Sequence, residues 1–262
     1  MCGSAVTRFA CDPPLGGKIR CEPDGSLTLM QVSSGAMVLE GDELTICLRL
    51  TEGARVTVTS MGAQLIHPCL DGGWATVAVD ATVGGGSSLR WHPEPVIVAA
   101  SARYRSQVTL DCSDDATLHW TDELVLGRSG EDSTDLALDS TWRLDVAGRP
   151  RWRDGLATGP GWTGPAVLGT ARYVAAEVAV GLGGTGRGPS PIDTGPVGRG
   201  GCGGPAGSAP AGPRRAMADP DPFSSGWPAL AGGGFSRRTL AGDPVAGRRV
   251  LRWRDAVSPT NG

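Results

Sequence analysis

The side chains best suited to contact a cation lie in the middle of this chain. They are His92, Glu94, Glu123 and Glu131. Pro93 and Pro95 stiffen the backbone on either side of Glu94 and would hold His92 and Glu94 in a defined relation. Because carboxylates and water suit weak, exchangeable coordination, this set predicts transient contact with a hydrated divalent cation. The competing interpretation is a rigid turn whose His92 and Glu94 are simply solvated.

The two later glutamates, Glu123 and Glu131, flank a predicted turn at Gly127. Arg128 lies between Gly127 and Glu131, so a salt-bridged loop, worth little energetically, is one interpretation. The other is an acidic lining formed by Glu123 and Glu131, along which a cation passes. The spacing of these residues leaves both interpretations open.

His67 and Cys69 form a second candidate pair for a cation. Two residues apart in a strand, they would point to the same side and could bind a borderline-soft ion. Pro68 between them argues against a regular strand. A loop histidine beside a buried thiol is therefore the competing interpretation.

The motifs of common enzyme classes are missing. No P-loop, with its lysine after a glycine-rich turn, occurs, and no Gly-x-Ser-x-Gly elbow is found. Gly198, Gly200 and Gly203 match the dinucleotide-binding spacing, but they lie in a glycine-saturated tract without a flanking strand and helix. The seven cysteines include no Cys-x-x-Cys pair, which argues against a structural zinc site or a disulfide framework. We expect a protein without catalytic residues.

Charge and hydropathy argue against several classes of partner and location. The net charge of −3 gives no basic face for nucleic acid. No uninterrupted run of about 18 apolar residues exists, so no membrane span is expected. The N-terminus lacks a basic region followed by an apolar core, so no signal peptide is expected. These features predict a cytoplasmic protein.

Apolar residues alternate with polar ones from about residue 26 to residue 146, the two-residue period of strands. Leu44, Ile46 and Leu48, for example, face away from Thr45 and Cys47. Short segments of this kind recur about every ten residues between Gly- and Asp-rich turns. The predicted fold is mainly β, a multi-stranded β-sandwich or β-superhelix with little helix.

The chain divides into three predicted regions. Residues 1–182 form the β domain. Its last stretch, 166–182, has the apolar spacing of a helix, although its β-branched content favours a strand nearly as strongly. Residues 183–234 are rich in glycine and proline, and we expect them to be disordered. Residues 235–262 form a short element of uncertain structure, in which 240–257 fits an amphipathic helix interrupted by glycine and proline.

Several motifs follow one another in a fixed order. They are Gly41-Asp42, Val56-Thr57-Val58-Thr59, Trp91-His92-Pro93-Glu94-Pro95, Leu118-His119-Trp120, Gly127-Arg128, Asp154-Gly155-Leu156 and Pro165-Ala166-Val167-Leu168-Gly169. In this order they resemble the UreD (UreH) family of urease accessory proteins, over roughly residues 25 to 182. The glycine- and proline-rich tract departs from that family, whose members carry ordered, partly helical structure there.

The resemblance implies a non-enzymatic scaffold for nickel insertion into apo-urease. Such a scaffold binds UreF and, through it, the GTPase UreG, and it holds no stable cofactor. The cation that passes His92, Glu94, Glu123 and Glu131 would then be Ni²⁺. The residues by themselves leave two other functions open: a β-sandwich ligand-binding module using some of the eight tryptophans, and a hydrolase with a dispersed triad.

Overall fold

The computed structural model describes residues 4–33, 37–51, 53–131, 135–159, 168–181, 234–245 and 248. In these ranges the chain forms fourteen strands. In chain order they are β1 (Leu15–Cys21), β2 (Leu27–Ser33), β3 (Glu43–Leu50), β4 (Arg55–Ser60), β5 (Gln64–Ile66), β6 (Ala75–Val83), β7 (Ser88–Trp91), β8 (Val96–Val98), β9 (Arg103–Cys112), β10 (Thr117–Leu126), β11 (Ala137–Val146), β12 (Arg149–Ala157), β13 (Tyr173–Val180) and β14 (Gly234–Ala241).

The strands form two sheets, and the chain passes back and forth between them. The larger sheet runs β1-β2-β4-β7-β10-β13-β14, with β8 beside β10 and β5 beside β8. The smaller sheet runs β12-β11-β9-β6-β3. Within both sheets the successive turns of the chain pair in parallel, as β4 does with β7 and β6 with β9. This coiling of parallel turns confirms the predicted β-superhelix.

Antiparallel strands close the superhelix at both ends. β1 and β2 form a hairpin at the start, and β11 and β12 form one near the end. β13 then pairs antiparallel with β10, and β14 pairs antiparallel with β13. β13 and β14 therefore extend the larger sheet beyond β10.

The core lies between the two sheets, where alternate residues of each strand meet. Val77, Val79, Ala81 and Val83 of β6 are buried there, as the two-residue period predicts. Trp91 and Trp120 stack with their ring centroids 4.3 Å apart. Apolar burial of this extent is the main force that holds the sheets together.

The helical interpretation of residues 166–182 is wrong. β13 occupies Tyr173–Val180 of that stretch, and all eight of its residues are buried. A strand covered on both faces has no polar side, so its sequence loses the alternation that identifies a strand.

The C-terminal stretch also begins differently from the prediction. β14 reaches Ala241, so the expected helix over 240–257 starts as a strand; Pro244, Val245 and Arg248 are helical, and the rest of that element lies outside the described residues. The tract at 183–233 lies outside them as well. The three predicted regions therefore stay a prediction. In the described part of the chain, no helix is long and apolar enough to cross a membrane.

Candidate functional site

Two neighbouring carboxylates on β10 serve opposite faces of the larger sheet. Side chains alternate along a strand, so Asp122 and Glu123 must point in opposite directions. Asp122 points inward, where its Oδ2 accepts a hydrogen bond of 2.8 Å from Nε1 of Trp142 in the smaller sheet. Glu123 points outward and contacts Tyr173 on the adjacent strand β13.

Glu123 is almost completely buried on that outer face, with 4% of its surface exposed. The hydroxyl of Tyr173 donates a hydrogen bond of 2.8 Å to its Oε2. Burial, followed by the negative charge of Glu123, raises the pKa of Tyr173 far above its usual value, so the phenol keeps its proton and remains a donor. Nε of Arg248 donates to the same carboxylate oxygen at 2.9 Å.

Arg248 also brings Glu94 to this site. Nη2 of its guanidinium donates to Oε2 of Glu94 at 2.7 Å. Glu94 lies in the loop between β7 and β8, and its backbone amide donates a hydrogen bond of 2.8 Å to Oγ of Ser60. One guanidinium therefore joins two of the four predicted cation contacts, Glu94 and Glu123, although they are distant in sequence.

Glu131 has other partners. Its carboxylate forms an ion pair with Arg128 and accepts backbone hydrogen bonds from Arg128, at 2.8 Å, and Ala100, at 3.1 Å. The hydrogen bond from the Arg128 side chain lowers the pKa of Glu131 to about 2. Gly127 supplies the turn with a positive φ of 83°. These contacts match the salt-bridged loop, and the part of Glu131 in cation passage stays a prediction.

His92 and Cys69 occupy separate loops, whereas His67 stays beside Cys69, whose Sγ lies 4.0 Å from the His67 carbonyl oxygen. The backbone amide of His92 donates to the carbonyl oxygen of Val58 at 2.9 Å. Cys69 Sγ accepts a hydrogen bond of 3.2 Å from the Arg103 amide, and burial raises the pKa of this thiol. Within the described ranges, no group of three or more His, Cys, Asp or Glu side chains is placed to hold a metal ion.

The predicted turn residues have structural roles. Gly41 has a positive φ of 84°, and Asp42 Oδ2 accepts a hydrogen bond of 2.8 Å from the Leu39 amide, which closes the turn before β3. The carbonyl oxygen of Pro95 accepts a hydrogen bond of 3.0 Å from the Gln64 amide. The loop around Pro93 and Pro95 is thereby tied to a neighbouring turn of the superhelix.

A second polar cluster lies farther along β10, β13 and β14. Glu177 is 3% exposed and receives Nε2 of His119 at 2.8 Å on one oxygen and Nη2 of Arg237 at 3.1 Å on the other. The strand register places Glu177 directly opposite Arg237. The outer face of these three strands is therefore buried and charged.

On the other side of β10, a cavity of about 380 Å³ lies between the sheets. Its lining includes Glu94, Tyr104, Trp120 and Asp122. Burial raises the pKa of Asp122 above its usual value, and Nε1 of the buried Trp120 has no hydrogen-bond partner among the described residues. Glu94 thus borders this cavity and also contacts Arg248 on the outer face.

Sequence reasoning missed Arg248, Tyr173 and Asp122. The strand period of β10 predicts that Asp122 and Glu123 face apart, which would have identified an inward carboxylate. Tyr173 was hidden because β13 lacks alternation. Arg248 lies 125 residues from Glu123 and 154 from Glu94, and no local pattern predicts a contact over such separations.

Comparison with known proteins gives a consistent result. The model of the UreD urease accessory protein family matches residues 3–196. Urease accessory protein UreD 3 of Streptomyces griseus is 36% identical over 182 residues, which is 66% of this chain and 69% of the relative.

Two further relatives carry the same name. UreD 2 of Saccharopolyspora erythraea is 36% identical over 144 residues, 54% of this chain and 50% of its own length. UreD of Frankia casuarinae is 30% identical over 242 residues, 87% of this chain and 70% of its own. The chain thus spans between half and about seven tenths of the relatives' length. Since the family match covers most of the chain, this protein belongs to the UreD family of urease accessory proteins.

Proposed function

We propose that this chain is a cytoplasmic, non-catalytic scaffold that helps insert nickel into apo-urease. It acts with UreF and, through UreF, with the GTPase UreG. The observation that carries the proposal is the family match over residues 3–196. Its charge also agrees with protein partners, because a net charge of −3 offers no general attraction for nucleic acid.

We propose further that Ni²⁺ is the cargo and contacts Glu94 and Glu123 in passing. The close approach of these two carboxylates to one guanidinium supports this step, because a site that holds one cation between two carboxylates suits exchange for another. Oxygen ligands bind Ni²⁺ less tightly than a closed set of imidazoles and thiolates, so a metal in transit is released. His92 and Glu131 remain the other predicted contacts.

The ligand-binding alternative, which would use exposed tryptophans, for instance to bind a sugar, is not supported at three of them. Trp91, Trp120 and Trp142 are at most 4% exposed, so none of the three offers a flat surface to a sugar. The hydrolase alternative requires a histidine free to act as a base. Nε2 of His119 lies 2.8 Å from Oε1 of the buried Glu177, so this ring nitrogen is occupied and does not take a proton from a nucleophile.

The proposal is tested by reconstituting urease with and without this chain. Apo-urease, UreF and UreG from the same organism are incubated with Ni²⁺, bicarbonate, GTP and Mg²⁺, and urease activity and bound nickel are measured. We expect both to rise when the full chain is added. Equal nickel loading without the chain would overturn the proposed function.

A further inference from the structure

We propose that Arg248 is a displaceable latch that keeps the Glu94 and Glu123 carboxylates closed to cations until its side chain is displaced. This inference rests on the proposed function, since it concerns regulation of the same carboxylates. It is drawn from the way one guanidinium occupies both of them.

Arg248 belongs to neither of the two elements that carry the carboxylates. It lies after the last strand, outside both sheets, whereas Glu123 belongs to β10 and Glu94 to the β7–β8 loop. No strand pairing fixes Arg248 in place. Its two charge-assisted hydrogen bonds, at 2.9 Å and 2.7 Å, tie the Arg248 side chain to both elements.

The chemistry of the contact makes it mutually exclusive with metal binding. The guanidinium bonds to Oε2 of Glu123 and to Oε2 of Glu94, and its positive charge, held within 3 Å of both carboxylates, repels a divalent cation from them. Arginine stays charged at all physiological pH values, so loss of a proton cannot open the site. Only displacement of the side chain frees the two carboxylates.

The exposure of the three side chains differs in a way that permits exchange. Glu94 is 43% exposed, Arg248 is 23% exposed and Glu123 is 3% exposed. A cation arriving from solvent therefore meets Glu94 first and reaches Glu123 after Arg248 has left. Once Arg248 leaves, Glu123 stays buried and keeps the hydrogen bond from Tyr173, and the uncompensated carboxylate then favours an incoming cation.

The experiment measures Ni²⁺ binding to the full-length chain, held soluble by a carrier fusion where needed, by calorimetry. Arg248→Gln is compared with the wild type and with Arg248→Gln/Glu123→Gln. A latch closed in about nine of ten molecules lowers apparent affinity about tenfold, so Arg248→Gln should bind Ni²⁺ about tenfold more tightly. The double variant should lose that gain. The matched control is Arg238→Gln, because Arg238 pairs with Asp154 and touches neither carboxylate of the site.

Equal or weaker Ni²⁺ binding by a folded Arg248→Gln chain overturns the latch. Should that variant fail to fold, Arg248→Lys decides: lysine keeps the charge but lacks the planar fork that reaches both carboxylates, so affinity should rise by a smaller factor. Unchanged affinity of Arg248→Lys overturns the proposal in that case. The Ni²⁺ titration does not depend on urease, so the two experiments can fail separately. If Arg248→Gln binds Ni²⁺ more tightly but the chain does not increase nickel loading of urease, the latch stands and the proposed function is wrong.

Discussion

The carboxylate of Glu177 lies 3.1 Å from the guanidinium of Arg237, directly across the β13–β14 pairing, and both side chains are less than a tenth exposed. This buried ion pair links β13 and β14, the last two strands of the larger sheet. Truncating one partner leaves the other charge buried, which is far more costly than losing a surface pair.

We therefore expect Arg237→Ala to lower the free energy of unfolding by about 3–5 kcal/mol, measured by urea denaturation. The neighbouring Arg238 is the matched control. Its ion pair with Asp154 is 28% and 27% exposed, so Arg238→Ala should cost about 1 kcal/mol. Equal losses for the two variants would show that the burial of the Glu177–Arg237 pair has no energetic consequence.

The turn at Glu131 should give a measurable acid sensitivity. Its pKa is lowered from 4.5 to about 2 in the folded chain, mainly by the hydrogen bond from Arg128. A lowered folded pKa means that the stabilisation is complete above about 4.5 and is lost as the pH falls toward 2. The stability difference between the wild type and Glu131→Gln should therefore shrink over this interval.

The measurement for Glu131 is a series of denaturation curves between pH 6 and pH 2.5. The stability of Arg128→Gln should likewise depend less on pH than that of the wild type, because this change removes the hydrogen bond that lowers the pKa of Glu131. A difference between wild type and Glu131→Gln that stays constant with pH would contradict the assigned cause.

Alanine substitutions at two glycines distinguish the cost of backbone strain from the cost of steric overlap. Gly148 and Gly181 both have a φ of 69°, but a Cβ on Gly148 meets nothing within 4 Å, whereas a Cβ on Gly181 would overlap the carbonyl oxygen of Ala116. Gly148→Ala should cost about 1–2 kcal/mol from the left-handed backbone alone. Gly181→Ala should cost clearly more, because the end of β13 must also move away from the start of β10. Thermal denaturation of both variants compares the two costs directly.

The nickel path is tested by conservative substitutions. The sequence predicts that replacing Glu94, Glu123 or Glu131 lowers urease activation. The structure distinguishes them: Glu94 and Glu123 share Arg248, and Glu131 anchors a turn. We expect Glu94→Gln/Glu123→Gln to lower the nickel content of matured urease several-fold, while Glu131→Gln serves as the comparison.

A pull-down of UreF accompanies each of these variants. Unchanged UreF binding with reduced nickel content supports a role for Glu94 and Glu123 in cation transfer. Full nickel loading by the double variant would remove these two carboxylates from the path, and lost UreF binding would assign them to the structure of the docking surface.

Much of the fold could be predicted from local patterns. The two-residue period of β3, β6 and β9 identified strands with one buried face, because each of these strands has one side toward the core and one toward solvent. The turn at Gly41-Asp42 was likewise identified from residue types that tolerate positive φ and close a turn through a side chain. These features depend on near neighbours, which the sequence displays directly.

The site depended on contacts that no local pattern contains. Sequence order by itself determined that Glu94, Glu123 and Glu131 were available as cation contacts. Only the tertiary structure decided that Glu94 and Glu123 meet at Arg248, while Glu131 closes a turn with Arg128. One physical reason is that β13, buried on both faces, has no alternation of apolar and polar residues. The other is that a single side chain, that of Arg248, contacts Glu123 across more than a hundred residues of sequence.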